Sequence, residues 1–108
     1  MTRRRPGAAT PAVRESDVRK AVRDWLRLNG WTVYHNMGGP LSYRGLSDLT
    51  AIKGGRVVWI EVKRPQGRQS EEQRKFQADI EAAGGEYLLV RDVDDLLAWQ
   101  ARDREGHA

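Results

Sequence analysis

The chain has 108 residues, 39% hydrophobic and 31% charged, which describes one folded domain with a single core. It has no cysteine, so disulfides, thiolate metal sites and cysteine nucleophiles are excluded together. No apolar run approaches the ~20 residues of a membrane helix, and Met1-Thr2-Arg3-Arg4-Arg5-Pro6 is not followed by an apolar stretch. The expectation is an intracellular, cytoplasmic protein with no membrane partner.

The net charge of +4 is unevenly placed. Residues 1–14 hold Arg3, Arg4, Arg5 and Arg14 and no acid, while the rest of the chain balances its basic and acidic residues. Within that neutral body, Lys53 to Lys75 is rich in lysine and arginine and Phe76 onward is rich in acids. A basic arm and a basic segment suit a nucleic-acid partner, and a solvated, charge-mixed surface would look the same by composition alone.

In chain order, residues 1–10 read as a flexible basic arm, and 11–103 as the single domain, followed by a short tail at 104–108. Thr10-Pro11 offers a cap and a first helical residue. Val18, Ala21, Val22, Trp25 and Leu26 then recur at helical spacing, forming one apolar face that ends at Gly30. Trp31 to Asn36 has the β-branched and aromatic content of a strand, and Gly38-Gly39-Pro40 to Gly45 reads as a loop. Leu49 to Lys53 and Arg56 to Lys63 are two strands joined by Gly54-Gly55, a pair suited to the positive φ of a tight hairpin. Both are apolar on both faces, as covered, central strands are.

Ser70-Glu71-Glu72-Gln73 fits a capping box opening a second helix, with Gln73, Phe76, Ile80 and Ala83 on one face. Gly84-Gly85 ends it, and Glu86 to Val90 forms a fourth strand, parallel to the preceding one through the helical crossover. Asp92 and Asp95 frame a last helix with Val93, Leu96 and Leu97 inward. The expected class is α/β, order α-β-β-β-α-β-α, with a mixed central sheet flanked by helices.

The hairpin makes a specific claim about chemistry. With Gly54-Gly55 as a two-residue turn, Lys53 faces Arg56, Ile52 faces Val57, and Asp48 faces Glu61. Opposed side chains share a face, with Cβ atoms about 4.5–5.5 Å apart, and two like charges there destabilise a sheet. A divalent cation offsets that repulsion, and carboxylate oxygens suit a hard ion such as Mg²⁺. Lys63, two residues past Glu61, emerges on the same face. Glu15 continues the inward stripe of the first helix, and Gln73 is the polar member of the second helix's face, so both helices are expected over the acid face.

Each residue also has a structural explanation. Glu15 suits the helix dipole as a first-turn acid, Gln73 suits Ser70 as its capping partner, and Lys63 suits either acid as a salt bridge. His35 and the tryptophans Trp25, Trp31, Trp59 and Trp99 read as surface or core packing. Convergence of separate periodicities on one place favours a site.

Asp48 at a strand start followed by Glu61-Val62-Lys63 in the next strand resembles the PD-(D/E)XK nuclease signature, and the element order is similar to that superfamily's restriction-endonuclease-like core. The resemblance narrows to the VRR-NUC (virus-type replication-repair nuclease) domain through Glu15-Ser16, Gly45-Leu46-Ser47-Asp48, Ile60-Glu61-Val62-Lys63-Arg64-Pro65, Ser70-Glu71-Glu72-Gln73 and Ala82-Ala83-Gly84-Gly85. Ser47 departs from the proline in the superfamily's name, at a position that supplies no ligand. The resemblance implies a Mg²⁺-dependent DNA endonuclease (Mn²⁺ as substitute). Asp48, Glu61 and the Val62 carbonyl would bind the ion, Glu15 would complete the site directly or through water, and Lys63 would orient the attacking water. Gln73 would hold the lysine, the water or a phosphate. Arg44, Arg64 and Arg68 flank that site as candidate phosphate contacts, and Arg3, Arg4 and Arg5 would add non-specific attraction. Implied partners are branched or junction DNA and a second copy in a homodimer. A non-catalytic nucleic-acid-binding module and a nuclease acting on RNA remain as alternatives.

Overall fold

A computed structural model describes residues 14–106. The arm, with Arg3, Arg4, Arg5 and the Thr10-Pro11 pair, lies outside the described residues. The elements are α1 (Glu15–Leu28), β1 (Thr32–His35), β2 (Leu49–Lys53), β3 (Arg56–Val62), α2 (Glu71–Ala82), β4 (Glu86–Val90) and α3 (Val93–Gly106), the expected order.

The four strands form one mixed sheet in the order β1-β2-β3-β4, antiparallel across the first two pairings and parallel across the last. Gly54 and Gly55 both adopt positive φ (57° and 81°), the conformation a two-residue hairpin turn demands. The turn sets the register: Lys53 pairs with Arg56, Ala51 with Val58, and Leu49 with Ile60. Asp48 is the next residue outward from that ladder and Glu61 is its counterpart on β3.

Alternation then divides the sheet into two faces. Val33, Leu49, Ala51, Val58, Ile60, Val62 and Val90 meet Val18, Val22 and Leu26 of α1 and Leu96 and Trp99 of α3 in one buried cluster. Fully burying each Leu, Ile or Val side chain contributes roughly 1.5–3 kcal/mol, so this layer carries most of the stability. The other face carries Trp59, Glu61 and, through the parallel register, Tyr87 and Leu89. Here α2 is applied, with Phe76 edge-on to Tyr87 at 6.2 Å between ring centroids.

The structure corrects several local expectations. Arg14 is extended (φ −88°, ψ 142°) and caps α1 without a side-chain bond, so the helix begins at Glu15 rather than at Pro11. The apolar stripe of α1 packs on the face opposite Glu61, where α2 lies instead, and α1 reaches the acids only at its first turns, through Arg19 at 3.8 Å from Asp48. Ala21 and Ala83 are exposed, and Leu97 is 48% exposed while Trp99 takes the inward place beside Leu96. α3 continues to Gly106, into the stretch expected as a tail. His35 is exposed on edge strand β1. Trp31 and Trp99 are core residues 5.5 Å apart, and Trp25 and Trp59 are half-buried. Among the described residues, no helix is long and apolar enough to cross a membrane.

Candidate active site

The open end of the β2–β3 hairpin gathers the predicted acids. The Asp48 backbone carbonyl accepts from the Asn36 N–H at 2.8 Å, which continues the β1–β2 pairing past His35. Its side chain turns across the hairpin, and Oδ2 accepts from the Val62 N–H at 2.8 Å. That bond holds Asp48 against β3, where Glu61 stands next in the chain.

Glu61 is only 2% exposed, a rare state for a glutamate. Both of its oxygens have donors: Gln73 Nε2 reaches Oε1 at 3.2 Å, and the Tyr87 hydroxyl reaches Oε2 at 3.4 Å. Tyr87 is itself held by Gln69 Nε2 at 3.1 Å, and the same amide donates to Gln77 at 3.0 Å. Gln73 closes the capping box and reaches Glu61 with the two ends of one amide. Its Oε1 accepts from the Ser70 N–H at 2.8 Å in the capping box, leaving the Nε2 end to donate to Glu61. The capping box therefore aims the amide.

The loop before β2 is locked onto the same helix start. Gly45 has φ 76°, and a Cβ there would lie 2.1 Å from the Glu72 carbonyl oxygen, so no other residue permits this approach. Between loop and helix lies a cleft of about 660 Å³ whose lining includes Asn36, Arg44, Ser47, Asp48, Ser70 and Gln73. Thr50 Oγ1 donates to Asn36 Oδ1 at 3.0 Å, and Asn36 Nδ2 to the Ser47 carbonyl at 2.9 Å, fixing the cleft floor.

The electrostatics are strained. Burial, then the hydrogen bond and charge of Asp48, push the Glu61 carboxyl up to about 9, with Lys63 pulling against them and Glu15 adding to them. The Tyr87 phenol is pushed upward by burial and then by the charge of Glu61. Glu15, half-buried at the start of α1, reaches the acids through Arg19, whose Nη2 lies 3.3 Å from Glu15 Oε2 and whose Nε lies 3.8 Å from Asp48 Oδ1. Among the described residues, no three histidine or acidic side chains stand together as a group that could hold a metal ion.

Asp48, Glu61 and Gln73 are thus brought together, Lys63 is half-buried beside them, and Glu15 joins through an intermediary. Lys63 forms no ion pair among the described residues. Arg44 is exposed on the cleft wall, whereas Arg64 and Arg68 are exposed on the connection after β3 and do not line it. The residues that sequence reasoning missed are Arg19, Asn36, Gln69, Tyr87 and Arg91, whose Nη1 ties down the post-β3 connection through the carbonyls of Arg64 (3.0 Å) and Gly67 (2.7 Å). Arg19 had one legible signal, its i,i+4 spacing from Glu15.

Compared with models of known protein families and with curated proteins, the chain finds no match in either.

Proposed function

We propose that the protein is a Mg²⁺-dependent DNA endonuclease on a restriction-endonuclease-like core, resembling VRR-NUC domains. The observation that carries this reading is the acid pair at the open hairpin end. A buried Glu61 beside Asp48 gains nothing for the fold, and its donor set of carboxylate oxygens without sulfur fits a hard divalent cation.

Asp48 and Glu61 would hold Mg²⁺, or Mn²⁺ in its place, together with the Val62 carbonyl, with Glu15 adding a ligand directly or through water. The bound ion would lower the pKa of water and offset charge building on the scissile phosphate. Lys63, free of ion pairs among the described residues, would orient the attacking water and add a point charge. Gln73 and Tyr87 hold the Glu61 carboxylate in place, so its orientation is set before substrate arrives. Arg44 on the cleft wall, with Arg64 and Arg68, would contact backbone phosphates, and Arg3, Arg4 and Arg5 would add attraction at a distance. A domain this small covers little DNA, which favours a homodimer acting on branched or junction DNA.

One observation favours a second reading. The lack of a three-member ligand group among the described residues suits a non-catalytic DNA-binding module on the same fold. Incubating the full chain with branched DNA, linear DNA and RNA, in Mg²⁺, Mn²⁺ or EDTA, separates the cases. Cation-dependent cleavage of DNA is expected. Binding without cleavage in either ion supports the module, and cleavage confined to RNA reassigns the substrate.

A further inference from the structure

Arg19 Nε is shielded from solvent and has no hydrogen-bond partner, the one such side-chain atom among the described residues. Its guanidinium lies between the carboxylates of Glu15, on its own helix, and Asp48, just before β2, at 3.3 Å and 3.8 Å. Charge-assisted N–H···O bonds close to about 2.7–2.9 Å when geometry is free to optimise. Arg19 meets neither carboxylate at that length. It donates one long hydrogen bond, from Nη2 to Glu15, and is otherwise held by the negative field of the acids, leaving the desolvated Nε–H unsatisfied. The side chain is still 29% exposed, so a rotation about its long stem leads out to solvent.

We propose that Arg19 is a resident counter-cation of the acidic centre, placed between Glu15 and Asp48 in the cation-free protein and displaced when a divalent ion takes those carboxylates. This rests on reading Asp48 and Glu61 as cation ligands. Arg19 partly neutralises the repulsion that would otherwise open the hairpin end, and it keeps Glu15 engaged until an ion arrives. It accounts for Glu15 standing near the site yet outside any ligand group: the carboxylate is already spoken for by α1's own arginine, one helical turn on. The guanidinium and a divalent ion are alternatives at the same charge position, because bringing a second cation against the same two carboxylates adds repulsion that neither geometry relieves.

The test is Mn²⁺ binding to the full chain without DNA, read from the electron paramagnetic resonance of free Mn²⁺, beside thermal melting in EDTA. Arg19→Met and Arg19→Gln are expected to tighten Mn²⁺ about 3- to 10-fold, the scale of removing one partly screened competing charge, and to lower the cation-free Tm. Arg19→Lys, which keeps the charge, is expected to stay near wild type in affinity. Arg23→Met, on the same helix but paired with its neighbour Asp24 at 3.1 Å, is expected to leave Mn²⁺ affinity unchanged. Unchanged or weaker Mn²⁺ binding in both neutral variants, with wild type binding normally, overturns the competition and leaves the cation reading standing. Absence of Mn²⁺ binding in wild type and every variant overturns both together.

Discussion

The two ends of the β2–β3 hairpin treat charge in opposite ways. At the turn end, Arg56 makes a bidentate pair with Glu86 (2.6 and 2.8 Å), a further bond to Asp103 at 2.8 Å, and lies over the rings of Trp31 and Trp99 at 5.8 and 5.3 Å. These hydrogen bonds, Glu86 first, push the guanidinium still further above its ordinary range, so its charge is secure. At the open end, a 2%-exposed Glu61 faces Asp48, its donors are neutral, and the nearest arginine stands off at 3.8 Å from Asp48. One end is a closed network in which every charge is matched in geometry. The other is an acid pair short of positive charge. Evolution of stability alone produces the first arrangement, and unresolved charge of the second kind gathers at working sites.

The largest effect expected is on cleavage. Asp48→Asn and Glu61→Gln should each lower Mg²⁺-dependent DNA cleavage by at least about 10²–10³-fold, the scale of removing a group that stabilises developing charge. Single-turnover cleavage assays on protein shown to be folded by circular dichroism measure this, and near-wild-type rates in both would make the open end as structural as the turn end. Lys63→Ala comes next. An ammonium does not ligate a cation, so turnover at saturating Mg²⁺ should fall on the order of 10²-fold while Mg²⁺ affinity moves little. Equal losses in affinity and turnover would assign Lys63 to holding the acids together.

At the turn end the expectation reverses. Arg56→Ala removes the guanidinium from Glu86 and Asp103 and the cation from two tryptophan faces. Stability should fall by about 1–3 kcal/mol, between the values for exposed and for buried ion pairs, as the group is about one-third exposed. Cleavage per folded molecule should not change. Urea unfolding beside the cleavage assay separates the two readouts, and a turnover defect in folded Arg56→Ala would break the division between the ends.

How much of this division could be read beforehand follows from what sets each contact. The Gly54-Gly55 turn dictates the register by local backbone conformation, so the facing of Asp48 and Glu61 was legible from spacing. The capping box at Ser70 is equally local, and it fixes Gln73. Helical periodicity identified Val18, Val22 and Leu26 as inward, but inward toward which face of the sheet is decided by the chain's path through the following turn, and the apolar stripe of α1 took the face opposite Glu61. Tyr87 reaches Glu61 only through the parallel register of β4, which no short-range signal encodes. Asn36 and Gly45 depend on the conformation of a long loop. Arg19 and Arg56 show the same limit from the other side, because neither arginine's partners across the fold are near it in sequence.

The smallest effect is the one that probes the acid pair without any substrate. In the cation-free protein, Glu61 has its carboxyl raised from 4.5 to about 9, mainly by burial and then by Asp48. A folded state that keeps the proton longer than the unfolded chain is favoured at low pH. That advantage is complete below about pH 4.5 and is lost as pH rises toward 9. Glu61→Gln removes the ionisation while keeping an oxygen for Gln73 to donate to, and Tyr87's hydroxyl can accept from the new amide. In EDTA, the variant's Tm should therefore gain on wild type as pH is raised from about 5 to 9, and added Mg²⁺ should narrow the gap by stabilising only wild type. Arg56→Ala supplies the contrast, because Arg56 keeps its charge across that range and its own ionisation adds no pH dependence. Parallel Tm curves for Glu61→Gln and wild type would mean that the carboxyl is ionised and satisfied in the cation-free fold. The open end would then be no more frustrated than the turn end.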